Sequence, residues 1–377
     1  MAMQILSGLL GRPGRHAAQD SAPVLDGPLR PNQQLDLCRM LDRHLKAPDD
    51  VAIGPRGLPL VSDGPRVLEI GGHWYAPMRT TFAEVGGRAG ALCRLPDGGL
   101  AIAVDGDRLA VRGGRHDGWA VDRIGDRRLR SVTALAALDG DRIVVAEGSA
   151  EQDLGHWRHD LLGRGSSGRV TLLDLRSGAA ETLGASLAWP AGVAVAPDGT
   201  VIVAEAWRHR LLRLGGRGSG GAAPQPVLAE LPAYPGRLAA DGQGGWWLTC
   251  FAVRTQLVEF LLGEPRFLAE MMRTVPEAHW VGPALNTTDD PLEPLQMGGI
   301  RQMGIKKPWA PPRSYGLVVR LDGEFDPTGS LHSRTDGKRH GITGVAVTPD
   351  GKVCLVSRGH GKLLLHGDDR ESEEGAA

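Results

Sequence analysis

The chain has 377 residues and a formal net charge of −1, with 41% apolar and 23% charged residues. This composition is ordinary for a globular protein, and the near-zero charge gives no electrostatic reason to expect nucleic acid as a partner. No stretch reaches the roughly 18 apolar residues of a membrane span, so we expect no span and a cytoplasmic location by default. Glycine is unusually frequent, at 54 residues, which favours many short strands joined by tight turns.

The two ends of the chain lack the hydrophobic periodicity of helices and strands. Residues 1–32 are predicted to be a flexible segment, because residues 11–31 are rich in Gly, Pro, Ala and Arg without a repeat. Residues 367–377 are acidic and polar and are predicted to be a disordered tail. Residues 33–45 favour either a short helix or a first strand, and the sequence does not decide between them. The folded part is therefore predicted to span residues 33–366.

A hairpin pattern repeats six times between these ends. One copy reads Val193-Ala-Val-Ala-Pro-Asp-Gly-Thr-Val-Ile-Val-Ala-Glu205, an apolar strand, a glycine turn and a second apolar strand. Glycine after Asp or Arg supplies the positive φ that a tight hairpin needs. The turns fall near Gly57, Gly98, Gly140, Gly199, Gly242 and Gly351.

The spacing of these turns predicts the fold. Three of the gaps are 41, 42 and 43 residues long, a period typical of one four-stranded propeller blade. The two longer gaps, of 59 and 109 residues, indicate insertions at about 150–168 and 258–315. A β-sandwich also shows strand alternation, but it does not show six matched hairpins at a blade-sized period. We therefore predict an all-β, six-bladed β-propeller with a partly helical insertion in the fifth blade.

Three stretches resemble the strictosidine synthase-like proteins. The first is Gly168-Arg-Val-Thr-Leu-Leu-Asp-Leu with Trp189-Pro-Ala-Gly-Val-Ala and Val203-Ala-Glu, similar to that family's Gly-Arg, Tyr-Pro-Asn-Gly-Val-Ala and Val-Ala-Glu-Thr strands. The second is Leu231-Pro-Ala-Tyr-Pro-Gly-Arg, and the third is Tyr315-Gly-Leu-Val-Val-Arg-Leu-Asp followed by Gly341-Ile-Thr-Gly-Val. Their order across blades is preserved, so the resemblance covers residues 45–366.

The same fold resembles gluconolactonase, regucalcin and diisopropylfluorophosphatase, and that resemblance implies an axial Ca²⁺ held by a Glu, Asn and Asp residues. The early Glu corresponds to Asp49, and the third-blade Asn falls near Val132 or Thr133. The Asn of the fourth blade corresponds to Ala191, and the Asp-Asn pair of the fifth blade corresponds to Gly236-Arg237. Ala and Gly offer no ligand side chain, and Arg repels a cation. The resemblance therefore predicts a largely lost Ca²⁺ site, with Asp49 as the one remaining metal ligand candidate; the cofactor is left open.

Strictosidine synthesis is not expected either, because the family's catalytic Glu falls near Thr343 or Gly344. The second strand of each hairpin returns to the rim where the first strand begins. This places Glu147 and Glu205 on the rim with Asp49 and Arg237. Two glutamates could work as a general acid/base pair, or each could cap a turn or pair with an arginine, as Glu205 with Arg208.

The first insertion places His156 and His159 beside Asp153 and Asp160. A His-x-x-His pair flanked by acids could bind a metal or transfer protons, and solvated loop residues are the alternative. Six tryptophans, including Trp189 and Trp280, are interpreted as core residues. The four cysteines lie far apart and are interpreted as buried free thiols.

Three functions stay open from these patterns. The first is a hydrolase acting on a small ester or lactone in the axial pocket, in which Asp49, Glu147 and Glu205 supply acid/base groups. Arg237 would stabilise anionic charge, and His156 and His159 are further catalytic candidates. The second is a non-catalytic propeller that binds a small-molecule ligand. The third is a metal-independent condensing or rearranging enzyme of specialised metabolism. Fold alone does not separate them.

Overall fold

A computed structural model of the chain describes residues 23–73, 75–215, 223–288, 293–294, 301–302, 305–306 and 312–367. Within these residues, six antiparallel four-stranded sheets follow one another along the chain. Their first strands contact one another in a closed ring, each touching the first strand of the next sheet, and the first strand of the sixth sheet touches that of the first. The predicted all-β, six-bladed propeller is confirmed.

The first three blades lie in the N-terminal half. Blade 1 consists of β2 Pro48–Ile53, β3 Pro59–Asp63, β4 Arg66–His73 and β5 Ala76–Glu84. Blade 2 consists of β6 Ala89–Arg94, β7 Leu100–Val104, β8 Arg108–Arg112 and β9 Ala120–Val121, followed by a small hairpin of β10 Arg123–Ile124 and β11 Arg127–Arg128. Blade 3 consists of β12 Val132–Ala137, β13 Arg142–Glu147, β14 Gly168–Asp174 and β15 Ala180–Leu187.

The last three blades complete the ring. Blade 4 consists of β16 Pro190–Val195, β17 Val201–Glu205, β18 Arg210–Leu214 and β19 Gln225–Leu228. Blade 5 consists of β20 Ala233–Ala240, β21 Trp246–Val253, β24 Gly316–Leu321 and β25 Pro327–Ser333, and a short hairpin of β22 Arg301–Gln302 and β23 Ile305–Lys306 precedes β24. Blade 6 consists of β26 Ile342–Val347, β27 Val353–Ser357, β28 Lys362–His366 and β1 Arg39–Asp42.

The N-terminal strand β1 closes the propeller by joining a blade made from the C-terminus. It pairs antiparallel with β28, with Arg39 opposite Leu365. The ambiguous segment 33–45 holds both elements that the sequence suggested, because a short helix α1, Gln34–Leu37, precedes β1. That β1 serves the sixth blade and not the first was not predicted, since its partner lies at the other end of the sequence.

The six predicted turns all connect the first and second strands of their blades. Five of the glycines, such as Gly98, have the expected positive φ, whereas Gly140 does not. In that turn the Asp139 carboxylate accepts hydrogen bonds from the backbone N–H groups of Asp141 and Arg142. The side chain of Asp139 thus stabilises the turn without a left-handed glycine.

The blade strands are apolar because neighbouring blades cover both of their faces. Every residue of β7 and of β17 is buried. Between blades 3 and 4, side chains such as Ala146, Leu172 and Val203 form one shared apolar cluster. A strand buried on both sides reads as a continuous hydrophobic run, which explains the strong pattern in the sequence.

Both predicted insertions lie where the turn spacing placed them. The first contains a 3₁₀ turn, Leu154–His156, and helix α2, Trp157–Leu162. The second contains helices α3 Gln256–Leu262 and α4 Pro265–Thr274 and a 3₁₀ turn, Glu277–His279. Thr255 caps α3 by accepting a hydrogen bond from the N–H of Val258. The partly helical insertion in the fifth blade is thereby confirmed.

Some predictions fall outside the described residues, namely those for residues 1–22 of the N-terminal segment and for residues 368–377 of the tail. In the described part of the chain, no helix is both long and apolar enough to cross a membrane. All four cysteines are buried and free, as interpreted from their spacing.

Candidate functional site

The residues carried over from the metal-binding relatives converge on one pocket at the propeller axis. Asp49, Thr133, Ala191, Gly236 and Arg237 come from the first strands of blades 1, 3, 4 and 5. The pocket has a volume of about 560 Å³, which includes space open to solvent. Its lining is Asp49, Thr133, Leu154, Trp157, Trp189, Ala191, Gly236, Arg237, Phe251, Leu285, Thr343 and Arg358.

Arg237 lines this pocket, and every N–H of its guanidinium donates a hydrogen bond. Nε and Nη2 donate to the Thr133 carbonyl at 3.1 and 2.7 Å. Nη1 donates to the carbonyls of Asp49 and Thr343 at 2.9 and 3.0 Å, and Nη2 also donates to Asp49 Oδ2 at 2.7 Å. Burial works against the charge, but the carboxylates of Asp50 and Asp49 outweigh it and raise the pKa of Arg237.

Asp49 lies between two arginines. Its Oδ2 accepts the bond from Arg237, and its Oδ1 accepts a 2.6 Å bond from Nη1 of Arg358. Burial opposes ionisation of Asp49, but the positive charges of Arg237, Arg358 and Arg88 outweigh burial and hold its pKa well below the usual range. Asp49 is therefore a fixed carboxylate and a weak base.

The neighbouring carboxylate, Asp50, does not line the pocket. Its two oxygens accept hydrogen bonds from the N–H groups of Val51 and Leu92, both at 2.9 Å. Burial raises the pKa of Asp50 to about 6, although Nε of Arg237 lies 3.3 Å from its Oδ2. Asp50 therefore joins blades 1 and 2 and has no contact with the pocket space.

Arg358 is a partly exposed cation in the pocket lining. It follows β27 and starts a 3₁₀ turn, Arg358–His360. Its Nη1 binds Asp49, its side chain is 26% exposed, and among the described residues its Nε and Nη2 meet no hydrogen-bond acceptor. These N–H groups can bind a carboxylate or a carbonyl oxygen.

Aromatic side chains also line the pocket, next to these polar groups. Trp157 packs edge-on against Phe251, with ring centroids 5.8 Å apart. Trp189 is buried and also lines the pocket. Leu154 and Trp157 come from the first insertion and Leu285 comes from the second, so both insertions shape the mouth. The two insertions also contact each other, since Arg158 donates a 3.0 Å bond to Glu277.

Glu147 and Glu205 do not line the axial pocket. Glu147 accepts two bonds from Arg169, at 2.6 and 2.9 Å. Burial raises the pKa of Glu147 to about 7, and the charge of Arg127 and a hydrogen bond from the Arg130 backbone N–H offset burial only in part. Glu205 is fully buried and accepts bonds from Arg208 and Arg210, each at 2.6 Å.

These ion pairs follow from strand register. The last residue of the second strand faces the third strand of its own blade, which places Glu147 opposite Arg169 and Glu205 opposite Arg210. The same position in blade 1 places Asp63 opposite Arg66. In blade 1 the Arg66 side chain binds Glu84 instead of Asp63, so this ion pair joins the second and third strands in blades 3 and 4.

The two histidines of the first insertion also lie outside the pocket lining. His156 is exposed, and its Nδ1 lies 4.0 Å from Asp153 Oδ2. The His159 ring packs edge-on against Trp280 at 4.6 Å, and burial lowers its pKa. Among the described residues, no group of three or more His, Cys, Asp or Glu side chains is arranged to hold a metal ion.

The axial residues do not fit a calcium site. Ca²⁺ takes six to eight oxygen ligands, roughly. Here Arg237 already binds the oxygens that face the axis, namely those of Asp49, Thr133 and Thr343. Ala191 and Gly236 supply no side-chain oxygen, and two guanidinium groups on one carboxylate repel a further cation.

Sequence reasoning missed Arg358 and the aromatic walls. The predicted rim residues lie on strands, whereas Arg358 lies in the turn directly after β27. Trp189 was interpreted as a core residue, and it is buried as well as pocket-lining. A search for cations within two residues of each second-strand end would have found Arg358.

Comparisons with known proteins agree with the propeller architecture. Residues 187–214 match the NHL repeat. The adipocyte plasma membrane-associated protein of Danio rerio is 26% identical over 149 residues, which is 38% of this chain and 36% of that protein. The match thus spans little more than a third of the relative's length.

Solved structures match nearly the whole chain. A gluconolactonase from Xanthomonas campestris aligns with a TM-score of 0.55 and 15% identity, covering 91% of this chain and 96% of that one. The calcium-binding protein regucalcin from Agrobacterium tumefaciens aligns with a TM-score of 0.51 and 13% identity, covering 88% and 93%. At these identities the likeness establishes a shared fold.

Proposed function

For a chain that shares the six-bladed fold of gluconolactonase and regucalcin, we propose hydrolysis of a small ester or lactone in the axial pocket without a metal ion. The substrate carries an apolar, preferably aromatic, body and a carbonyl or carboxylate oxygen that binds Arg358. The observation that carries this proposal is the partly exposed guanidinium of Arg358 beneath aromatic walls. A mainly apolar pocket with few polar groups is the usual form of a small-molecule site.

Arg358 supports such a reaction because it lines the pocket and, within the described part of the chain, only its Nη1 is engaged by a hydrogen-bond acceptor. In ester hydrolysis, the oxygen of water bonds to the carbonyl carbon and negative charge develops on the carbonyl oxygen. The bond to the alkoxy oxygen then breaks, that oxygen takes one proton of the water, and the second proton is released to solvent as the new carboxylic acid ionises. A preorganised guanidinium lowers the energy of the charged intermediate. Asp49 fixes Arg358 in place through the 2.6 Å bond between them.

Arg237 is not assigned the charge-stabilising role, because protein oxygens already accept all its N–H groups. The acid/base roles of Glu147 and Glu205 are not part of the proposal either, since both are bound to arginines away from the lining.

A second candidate is a propeller that binds the same class of molecule without turnover. The low pKa of Asp49 favours it, because a carboxylate held ionised by two arginines accepts a proton poorly. The hydroxyls of Thr133 and Thr343 donate to the carbonyls of Pro190 and Asp49, so neither is poised as a nucleophile.

The deciding experiment combines turnover and binding. Purified protein is assayed in EDTA with phenyl acetate and dihydrocoumarin, and binding of phenylacetate is followed by thermal shift and calorimetry. Arg358→Met removes the guanidinium, Arg358→Lys keeps the charge, and Arg266→Met on the exposed face of α4 is the matched control.

The hydrolysis proposal predicts turnover in EDTA. Arg358→Met should lower this turnover by roughly 10²–10³-fold, and Arg266→Met should leave it unchanged. Binding of phenylacetate that Arg358→Met abolishes, without turnover of either substrate, supports the second candidate. If the protein shows no turnover and no binding of these compounds, the pocket is refuted as a site for this class of molecule.

A further inference from the structure

The hydrogen bonds around Arg237 connect all six blades at the axis. Arg237 itself lies on β20 of blade 5 and binds Asp49 of blade 1, Thr133 of blade 3 and Thr343 of blade 6. The Thr133 hydroxyl donates a 2.5 Å bond to the carbonyl of Pro190, which adds blade 4. Blade 2 joins through Asp50, which lies 3.3 Å from Arg237 and accepts the N–H of Leu92.

Backbone carbonyls are a large part of this network, and they need a donor. Asp49, Thr133 and Thr343 each fall where the pairing of the first and second strands shifts register, so their carbonyls lie outside the regular ladder. Buried carbonyls without a hydrogen bond are destabilising. One guanidinium supplies five donors in a plane, and here it reaches oxygens on three other blades.

The charges around Arg237 also favour a cation at this position. Asp49 and Asp50 are adjacent and both nearly fully buried. Without a cation between them, two buried carboxylates repel each other and are poorly solvated. The Arg237 side chain is 13% exposed and touches both of them, at 2.7 and 3.3 Å.

We propose that Arg237 is a built-in cation that closes the ring of blades at the axis. It binds the axial carboxylate and carbonyl oxygens as a metal would, but it is covalently part of blade 5. The protein therefore needs no divalent cation for stability. This inference concerns stability and goes beyond the proposed hydrolysis, because it involves no ligand.

The first test compares thermal unfolding of the wild type with Arg237→Lys, Arg237→Gln and Arg237→Ala. Arg213→Ala, an exposed arginine on β18 of blade 4, is the matched control. We expect Arg237→Gln and Arg237→Ala to lower Tm by more than about 5 °C and Arg213→Ala by less than about 2 °C. Arg237→Lys keeps the charge and is expected to lie between the wild type and Arg237→Gln.

The second test is rescue by free guanidinium. Guanidinium is added at about 10 mM, far below denaturing levels, because a ligand that binds only the folded Arg237→Ala raises its stability. We expect it to raise the Tm of that variant and not that of the wild type or Arg213→Ala. If Arg237→Ala does not fold, the comparison of Arg237→Lys with Arg237→Gln decides the matter.

Three results would overturn the proposal. The first is a Tm of Arg237→Gln equal to that of Arg237→Lys, since the positive charge would then be dispensable. The second is a folded Arg237→Ala that free guanidinium does not stabilise. The third is a wild-type Tm that rises with 1 mM Ca²⁺ or falls with EDTA by more than about 2 °C. All three measurements omit substrate, so they stand apart from the test of hydrolysis.

Discussion

Arg358 donates a 2.6 Å hydrogen bond to the carboxylate of Asp49, although the two residues are 309 positions apart in the chain. The bond joins blade 1 to the turn that follows the second strand of blade 6. Because β1 also completes blade 6, the two ends of the propeller are joined at its outer edge by backbone pairing and at its axis by this ion pair.

The first prediction concerns Asp49→Asn. This change leaves Arg237 and Arg358 close together without the carboxylate that neutralises them, and breaking a buried ion pair costs about 3–5 kcal/mol of unfolding free energy. We expect a loss of this size by urea denaturation at pH 7.

The pH dependence of this loss follows from the lowered pKa of Asp49. The carboxylate contributes stability above its unfolded pKa of about 3.9, and this contribution disappears only as the pH falls through the lower folded pKa. The difference between wild type and variant is therefore expected to stay constant from about pH 7 to pH 8.5, above the pKa of about 6 of the neighbouring Asp50, which the charge of Asp49 helps to raise. A difference that shrinks within that range would contradict the assignment.

The second prediction concerns the aromatic wall. Trp157→Ala removes one side of the pocket without touching Asp49 or Arg358, so it should weaken binding of aromatic ligands. For a partly buried tryptophan that lines the pocket we expect roughly a 30-fold rise in the Kd or KM of a ligand that binds there. Phe260→Ala is the control, because Phe260 is exposed on the second insertion and lies outside the axial lining. Equal effects of the two changes would argue against the pocket.

The blade architecture could be predicted because it depends on local chemistry. A strand buried on both faces must be apolar, and a tight hairpin favours glycine, so both features recur in the sequence wherever a blade begins. The axial position of Asp49 and Arg237 was also predictable, since first strands meet at the axis and the family resemblance aligns them.

Most contacts of the candidate residues could not be predicted in the same way, although the sequence suggested the pair of Glu205 with Arg208 that the structure contains. Glu147 and Glu205 lie at strand ends, as expected, but each faces an arginine of the next strand. This register depends on loop lengths that a strand pattern does not specify. Arg358 reaches the axis because of the 3₁₀ turn after β27, and such short turns have no clear hydrophobic period.

The third prediction concerns the close approach of blades 4 and 5. A Cβ on Gly192 would lie 2.0 Å from the carbonyl oxygen of Gly236 and 2.9 Å from Cα of Arg237. Both are backbone atoms, so the blades would have to separate to accept it. We expect Gly192→Ala to cost about 1–3 kcal/mol in urea denaturation. Gly329→Ala, on β25 with open space around it, should change stability by less than about 0.5 kcal/mol. A tolerated Gly192→Ala would mean that the axis adapts to extra volume.

The fourth prediction uses the buried His332. Its ring contacts the Tyr315 hydroxyl at 3.1 Å and Ser330 Oγ at 2.8 Å, and burial lowers its pKa to about 4. The unfolded chain takes up this proton near pH 6.5, so acid favours unfolding until the folded histidine is also protonated. Stability is therefore lost as the pH falls from about 6.5 towards 4.

The variant His332→Gln isolates this effect, because glutamine keeps hydrogen-bonding groups but does not titrate. It is expected to be less stable than the wild type at pH 7.5, through imperfect replacement of the two ring contacts. The difference in unfolding free energy between the wild type and this variant should shrink by about 2–3 kcal/mol between pH 7.5 and pH 4.5. Only the wild type loses stability there through protonation of His332 in the unfolded chain. Urea unfolding at several pH values measures both curves. Parallel curves over that range would show that His332 is protonated equally in the folded and unfolded states, which would contradict the lowered pKa.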